Sequence, residues 1–311
     1  MCSKGCERKM ELNFSIVNLD FKVNVSDEIA VKLLEDYSGW FSKNVSNEKR
    51  IINLIKREAE IIINTDTYLN LVNYFKLFSP TVIGKNNKLE LLLSENNVLY
   101  LASFVNNIQI YVSFDLLKNV FNIYYSTSFE IFDIINLLKL LFILYLNHSL
   151  ELRKKPNFIL IHCCAMKKRN NNGAIFLGIS NAGKTTIAQF GINNGFKILT
   201  DETAILWEKE NDNNFYIQGT PWHGSEKIIV GSSEKIILES VFIIIKADKD
   251  YIEISNNSYE NKNILINQLL SSSFFNNDKF YENINFISRI SKTQIHKLYF
   301  TKSDKFLELI N

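Results

Sequence analysis

Apolar and polar positions alternate from the first structured residues of this chain. Leu12-Asn13-Phe14-Ser15-Ile16 and Phe21-Lys22-Val23-Asn24-Val25 each keep period 2, and Asn18-Leu19-Asp20 joins them, which predicts a β-hairpin. Ser26 then caps a short amphipathic helix carrying Ile29, Leu33, Leu34 and Tyr37. Further strand-like runs follow at 59–63, 89–93, 98–104, 108–114 and 120–125, separated by Asn-rich turns. The expected product is a mostly antiparallel sheet with one or two small helices, ending in a helix near 129–147. The apolar run at 131–146 is interrupted at helical spacing by Asp133, Asn136 and Lys139. It falls short of the roughly 20 apolar residues a span requires, so it reads as a core helix and no membrane partner is expected. Nothing in this half forms a catalytic constellation, and a scaffold or partner-docking role is expected of it.

The pattern changes near residue 158. Residues 158–165 form a continuous apolar run containing one titratable side chain, His162, and predict a single buried strand. A polar turn at 167–172 leads into Gly173-Ala174-Ile175-Phe176-Leu177, a second buried strand. A helix opened by Thr186-Ile187-Ala188 should close at Asn193-Asn194-Gly195 through C-cap chemistry. Strands are expected at 196–200, 204–207, 215–218, 227–230, 240–245, 252–254 and 297–300, with a helix near 259–274.

Between the strand at 173–177 and its helix lies Gly178-Ile179-Ser180-Asn181-Ala182-Gly183-Lys184-Thr185, which fits G-x-x-x-x-G-K-[ST]. Strand, glycine loop and helix are the context in which that string binds phosphate. The glycines permit positive φ and let backbone N–H groups wrap a phosphate at the positive end of a helix. Gly178, Ser180, Asn181, Ala182, Gly183, Lys184, Thr185 and Thr186 are therefore candidate nucleotide-binding residues. Lys184 would reach the β- and γ-phosphates and the Thr185 hydroxyl would ligate Mg²⁺. Asp201-Glu202 ends the strand that follows the helix, where one carboxylate can hold Mg²⁺ and the other accept a proton. Gly219-Thr220-Pro221-Trp222-His223-Gly224-Ser225 is a shaped loop whose Trp222 and His223 either contact a base or acceptor or plug the core edge.

Composition narrows the class. With 46% apolar and 22% charged residues in 311, the chain is globular, and a net charge of +2 argues for no nucleic-acid partner. Cys2 and Cys6 have no second pair with which to complete a zinc site, while Cys163 and Cys164 lie in an apolar run and are expected to be buried. His148 and His296 are expected to be structural. No secretory signal precedes the first strand, so the cytoplasm is the expected compartment.

His162, the glycine loop, Asp201-Glu202 and the Gly-Thr-Pro-Trp-His-Gly loop, taken together, resemble HPr kinase/phosphorylase-like proteins and their divergent relatives over roughly residues 158–300. The resemblance implies an α/β (α+β overall) chain with a P-loop kinase domain related to phosphoenolpyruvate carboxykinase, using ATP and Mg²⁺. The pattern along the chain makes residues 1–10 a tail, 11–128 an N-terminal α+β domain and 129–156 a connecting helix, and the resemblance makes 157–311 the nucleotide-binding domain. Lys184 and Thr185 would take nucleotide and metal, Asp201 the metal, and Glu202 the acceptor proton, with Asp201 and Glu202 interchangeable in role. His162 would tune that carboxylate. The pattern departs from the family in three places. Glu202 stands where HPr kinase has Asp, the N-terminal half differs, and no Arg occurs between Arg169 and Arg289. The implied activity is a kinase acting on a hydroxyl of a peptide or protein, with HPr itself not the expected acceptor. A non-catalytic ATP-binding docking module and a small-molecule kinase, for example of free serine, are the alternatives. A homo-oligomer is compatible with each.

Overall fold

The computed structural model describes residues 9–16, 19–36, 40, 50–57, 76–83, 87–93, 98–105, 108–115, 120–126, 158–209, 212–222, 231–270, 277–291 and 294–310. The chain divides into two units, Met1–Leu150 and Glu151–Asn311, each with a sheet of its own. The architecture is mixed α/β.

In the first unit the hairpin forms from β1 (Lys9–Ile16) and β2 (Leu19–Ser26), in register from Lys9↔Ser26 to Ile16↔Leu19. Leu12, Phe14, Ile16, Phe21, Val23 and Val25 are buried, as their period-2 spacing requires. Helix α1 (Asp27–Asp36) follows and buries Ile29, Ala30 and Leu33. Leu34 is 39% exposed because a helical step of 100° leaves it at the border of that face. The sheet continues through β3 (Arg50–Arg57), β4 (Lys76–Ile83), β5 (Asn87–Leu93), β6 (Val98–Val105), β7 (Ile108–Asp115) and β8 (Val120–Ser126). Its order is β1-β2-β3-β8-β7-β6-β5-β4.

Two departures from the sequence expectation stand out here. β3 and β4 fall outside the expected runs, and β3 pairs parallel with both β2 and β8 inside an otherwise antiparallel sheet. That register aligns Asn24, Asn53 and Asn122. The Asn24 amide donates to Asn53 at 2.7 Å and the Asn53 amide to Asn122 at 2.9 Å, so the polar side chains satisfy one another. The expected strand at 59–63, Tyr37, the helix near 129–147 and His148 lie outside the described residues. Among the described residues no helix is long and apolar enough to cross a membrane.

The second unit carries the glycine loop. The apolar run at 158–165 is two strands rather than one: β9 (Phe158–His162) and β10 (Cys164–Lys167). β9 pairs with β13 (Thr203–Glu208), whereas β10 pairs with β11 (Gly173–Leu177) and β12 (Lys197–Thr200). The break at Cys163 moves the chain from one part of the sheet to another. It is silent in the sequence because both strands are buried on both faces, so hydrophobicity runs straight through it. β14 (Phe215–Gln218) joins β13 to the start of β15 (Lys235–Lys246). The later half of β15 lies parallel between β11 and β17 (Ile295–Phe300), and β16 (Tyr251–Ile254) edges β17.

Two apolar cores form on the faces of this sheet. Cys163, Ala165, Ile175 and Leu177 join one, with Leu265 of helix α3 (Ser258–Asn267) and Phe286, Ile287 and Ile290 of helix α4 (Asn277–Ile290). Cys164, Met166, Ala174 and Phe176 join the other, with Ile187 and Ala188 of helix α2 (Lys184–Asn193) and Phe306 of helix α5 (Phe306–Leu309). Adjacent cysteines thus serve opposite faces, and burial pushes the Cys163 thiol up to about 12 and holds the Cys164 thiol well above its ordinary value. The expected helix at 259–274 is shorter than its apolar pattern suggested. After it, Leu269 bridges to Ile161 of β9, and the sequence reading missed α4.

A charged cluster ties the strands at one edge. Glu234 takes Lys167 at 2.6 Å and Lys197 at 2.8 Å, which hold its carboxyl below the ordinary value. A depressed carboxylate stabilises above its unfolded value of 4.5 and loses that contribution as pH falls through the folded value. Glu234→Gln is expected to cost about 0.5–1 kcal/mol at pH 7. Paired thermal melts of wild type and variant should draw together as pH falls below 4.5; a constant difference down to pH 3 would contradict the assignment.

Candidate functional site

Strand direction assembles the site. β11, β15 and β17 are mutually parallel, and β12 shares their direction because β10 is antiparallel to both β11 and β12. All four therefore end at one edge of the sheet, where open α/β sheets bind ligands. β11 delivers the glycine loop, β12 delivers Asp201-Glu202, β15 ends at Lys246 and β17 leads to Lys302. His162 ends β9 opposite Thr203 and so arrives beside the acidic pair.

These residues line one cavity of about 740 Å³. His162, Ser180, Asn181, Gly183, Lys184, Thr185, Thr186, Asp201 and Glu202 all contribute to it, so most of the candidates flagged in the sequence meet in space. Gly178 is buried beneath the loop. Ala182 is buried behind it, its N–H bonded to the Ile179 carbonyl at 3.1 Å.

The loop has the expected backbone. Asn181 and Gly183 take φ values of 64° and 118°, and α2 starts at Lys184 without a side-chain cap at Gly183. The first N–H groups of a helix have no intrahelical partner. With no capping oxygen to take them, those of α2 suit an anion at the cavity wall. The far end of α2 closes in a Schellman motif, as the Asn-Asn-Gly sequence implied. Gly195 (φ 78°) donates to Ile192 at 3.0 Å and Phe196 donates to Gly191 at 2.8 Å.

Lys184 is buried to 7% exposure, and its ammonium donates to the carbonyls of Gly178 at 2.7 Å and Ile179 at 3.2 Å. Burial pulls its pKa below the ordinary lysine value, a pull that the nearby Glu202 carboxylate opposes. The end of the Gln268 amide lies 3.2 Å from the carbonyls of both Gly178 and His162; two acceptors require the nitrogen there, and so oriented it ties the loop's first residue to β9. Nothing in the sequence singled out Gln268, which stands alone at the end of α3.

The acidic turn is braced from behind. The Thr200 hydroxyl accepts from the backbone N–H of Glu202 at 3.2 Å and of Thr203 at 3.1 Å. Asp201 is buried at 3% exposure, while the Glu202 side chain is 22% exposed. His162 Nδ1 lies 2.7 Å from the Glu202 carbonyl and 3.8 Å from its carboxylate. A carbonyl only accepts, so Nδ1 carries the proton and the neutral ring keeps Nε2 as its acceptor nitrogen. His162 thus holds the backbone of Glu202 more closely than its carboxylate.

The Gly-Thr-Pro-Trp stretch meets the site indirectly. Trp222 is buried at 4% exposure and does not line the cavity; His223 lies outside the described residues, as does the expected strand at 227–230. Instead Thr220 donates to the Thr203 carbonyl at 2.8 Å, and Gly219 packs on the Leu199 backbone behind the acidic turn. Gln189 and Phe190 of α2 also line the cavity, as do Lys246 and Lys302, and neither lysine was expected from the sequence. A surface lysine carries no local signal; only the strand order places these two beside the loop. His296, expected to be structural, stacks on Phe242 with ring centroids 5.2 Å apart.

No family model matches the sequence, and no curated protein matches it. Among solved structures, the HPr(Ser) kinase/phosphatase from Coxiella burnetii is similar to this chain, at 12% identity over 48% of this chain and 90% of that one, with a TM-score of 0.29. A match that distant assigns no role to any residue here.

Proposed function

We propose that the second unit is an ATP-dependent kinase that transfers the γ-phosphoryl group to a hydroxyl, most naturally a Ser or Thr of a peptide or protein. The observation that carries this reading is the meeting of three elements in one cavity: the α2 N-terminus with Lys184, the buried Asp201 and the accessible Glu202. Nucleotide binding alone has no use for the second, half-buried carboxylate.

The glycine loop and the first N–H groups of α2 would hold the β- and γ-phosphates, with Lys184 as their counter-charge. Thr185 and Asp201 suit Mg²⁺, since both offer oxygen donors on the same cavity. Bound there, the ion would neutralise charge developing on the phosphates. Glu202 would accept the proton of the acceptor hydroxyl, whose oxygen forms a bond to the γ-phosphorus as the bond to the β–γ bridging oxygen breaks and ADP departs. His162 fixes the turn that presents Glu202.

The test compares wild type with Glu202→Gln and Asp201→Asn in Mg²⁺-dependent ATP hydrolysis and autophosphorylation, with ATP binding followed in parallel. Glu202→Gln should keep ATP affinity and lose turnover by about 10²–10⁴-fold. Asp201→Asn should raise the Mg²⁺ concentration needed for binding. Full turnover in Glu202→Gln would overturn the assignment of the base, and nucleotide binding without transfer to any acceptor would favour a docking module.

A further inference from the structure

Lys184 alone faces two carboxylates in the cavity, a net negative lining that would repel a polyphosphate. Lys246 and Lys302 reverse that sign. They stand on the far side of the glycine loop from Asp201, because β15 pairs with β11 on the side away from β10 and β12, and β17 lies beyond β15.

Lys302 is held in an unusual way. Its φ of 63° lies in the left-handed region, which costs a non-glycine residue about 1–2 kcal/mol. Such strain persists only where the surroundings impose it. The imposing group is Asp250, in the turn after β15. Asp250 accepts from the Thr301 backbone N–H at 2.7 Å, the Thr301 hydroxyl at 2.9 Å and the Ser303 hydroxyl at 2.6 Å. The residues on both sides of Lys302 are thus pinned to one carboxylate, and Phe306 and Leu307 anchor the following turn in the core. Burial works to raise the Asp250 carboxyl, but the hydrogen bonds from Ser303 and Thr301 outweigh it and keep the group below its ordinary value.

Resting on the nucleotide reading above, we infer that Lys302 is a second phosphate-holding cation of the cavity and that Asp250 is its positioning residue. The arm takes the terminal phosphate of a nucleoside triphosphate: Lys184 belongs to the loop that cradles the phosphate chain, and Lys302 approaches from the opposite wall. Asp250 touches no phosphate itself. It acts by fixing the strained turn that points Lys302 inward.

The test is calorimetric titration of the full chain with MgATP and MgADP. Lys302→Gly removes the ammonium while accepting the left-handed backbone, and should weaken MgATP by about tenfold with a smaller effect on MgADP. Asp250→Ala should lower the same ATP-to-ADP preference, and the double variant should be no worse than Lys302→Gly, because Asp250 acts only through that ammonium. Ser303→Ala, which deletes one of the three bonds, should move the ratio in the same direction by less and covers the case in which Asp250→Ala does not fold. A purely structural Asp250 would lower the melting temperature and leave the ratio intact. Wild type that binds ATP, with an unchanged ratio in Lys302→Gly or an additive double variant, overturns this inference alone. Wild type that binds neither nucleotide overturns the nucleotide reading on which it rests.

Discussion

Lys184→Met is expected to lose nucleotide affinity by about a hundredfold, roughly 3 kcal/mol, while the protein remains folded. The ammonium is the only cation set into the loop itself, and Lys246 and Lys302, which reach the cavity from other strands, do not take its place within the loop. The same burial makes the substitution tolerable to the fold. Lys184 is 7% exposed and its charged form is disfavoured, whereas methionine fills similar space without a charge to desolvate. The Gly178 carbonyl keeps the Gln268 amide as a donor. The melting temperature should therefore stay near wild type.

A second readout separates this from general damage. A lysine with a lowered folded pKa binds fewer protons than its unfolded counterpart, so wild type should gain stability as pH rises toward 10.5. Lys184→Met should lack that gain. Wild-type nucleotide affinity in the variant, measured by titration, would remove the phosphate role from Lys184.

Gly219→Ala is expected to destabilise the second unit by about 3 kcal/mol. A Cβ at that position would lie 1.9 Å from the Leu199 carbonyl oxygen and 2.9 Å from that of Ser232, both backbone atoms that cannot rotate away. Leu199 also accepts the Ser232 N–H at 2.8 Å, so relief requires the strand end to move. That strand end carries Thr200 and Asp201. The substitution should consequently impair Mg²⁺-dependent nucleotide binding as well as lower the melting temperature by roughly 6–12 °C. Calorimetric melting checks the first part. A variant that melts with wild type would show that the loop yields where close backbone contact says it cannot.

This glycine illustrates how the loop at 219–222 was half legible. Its Gly and Pro content announced a shaped turn, and the choice between ligand contact and core plug for Trp222 was open. Burial of Trp222 and the packing of Gly219 on Leu199 place that stretch behind the acidic turn. Composition cannot distinguish a loop that touches a ligand from one that supports the residue that does.

Local chemistry in the sequence determined a good deal. Period-2 alternation marked β1 and β2, because a half-buried strand must alternate, and strand-like runs between Asn-rich turns marked β5 to β8. The glycine loop, its strand, its helix and the Asn-Asn-Gly terminus were readable because positive φ, an open helix N-terminus and a C-cap are short-range demands on particular residues. The acidic pair followed from its place after that helix. Tertiary structure decided the rest. The break at Cys163 and the parallel pairing of β3 depend on which neighbours a doubly buried strand finds, and a uniformly apolar run does not encode that choice. Helix α4 escaped because its buried face includes Asn283 and only a few apolar residues. Gln268, Lys246, Lys302 and Asp250 belong to the site or its support only because four strands of common direction end together. A polar residue acquires such a role from what the fold sets beside it, and no neighbour in sequence carries that information.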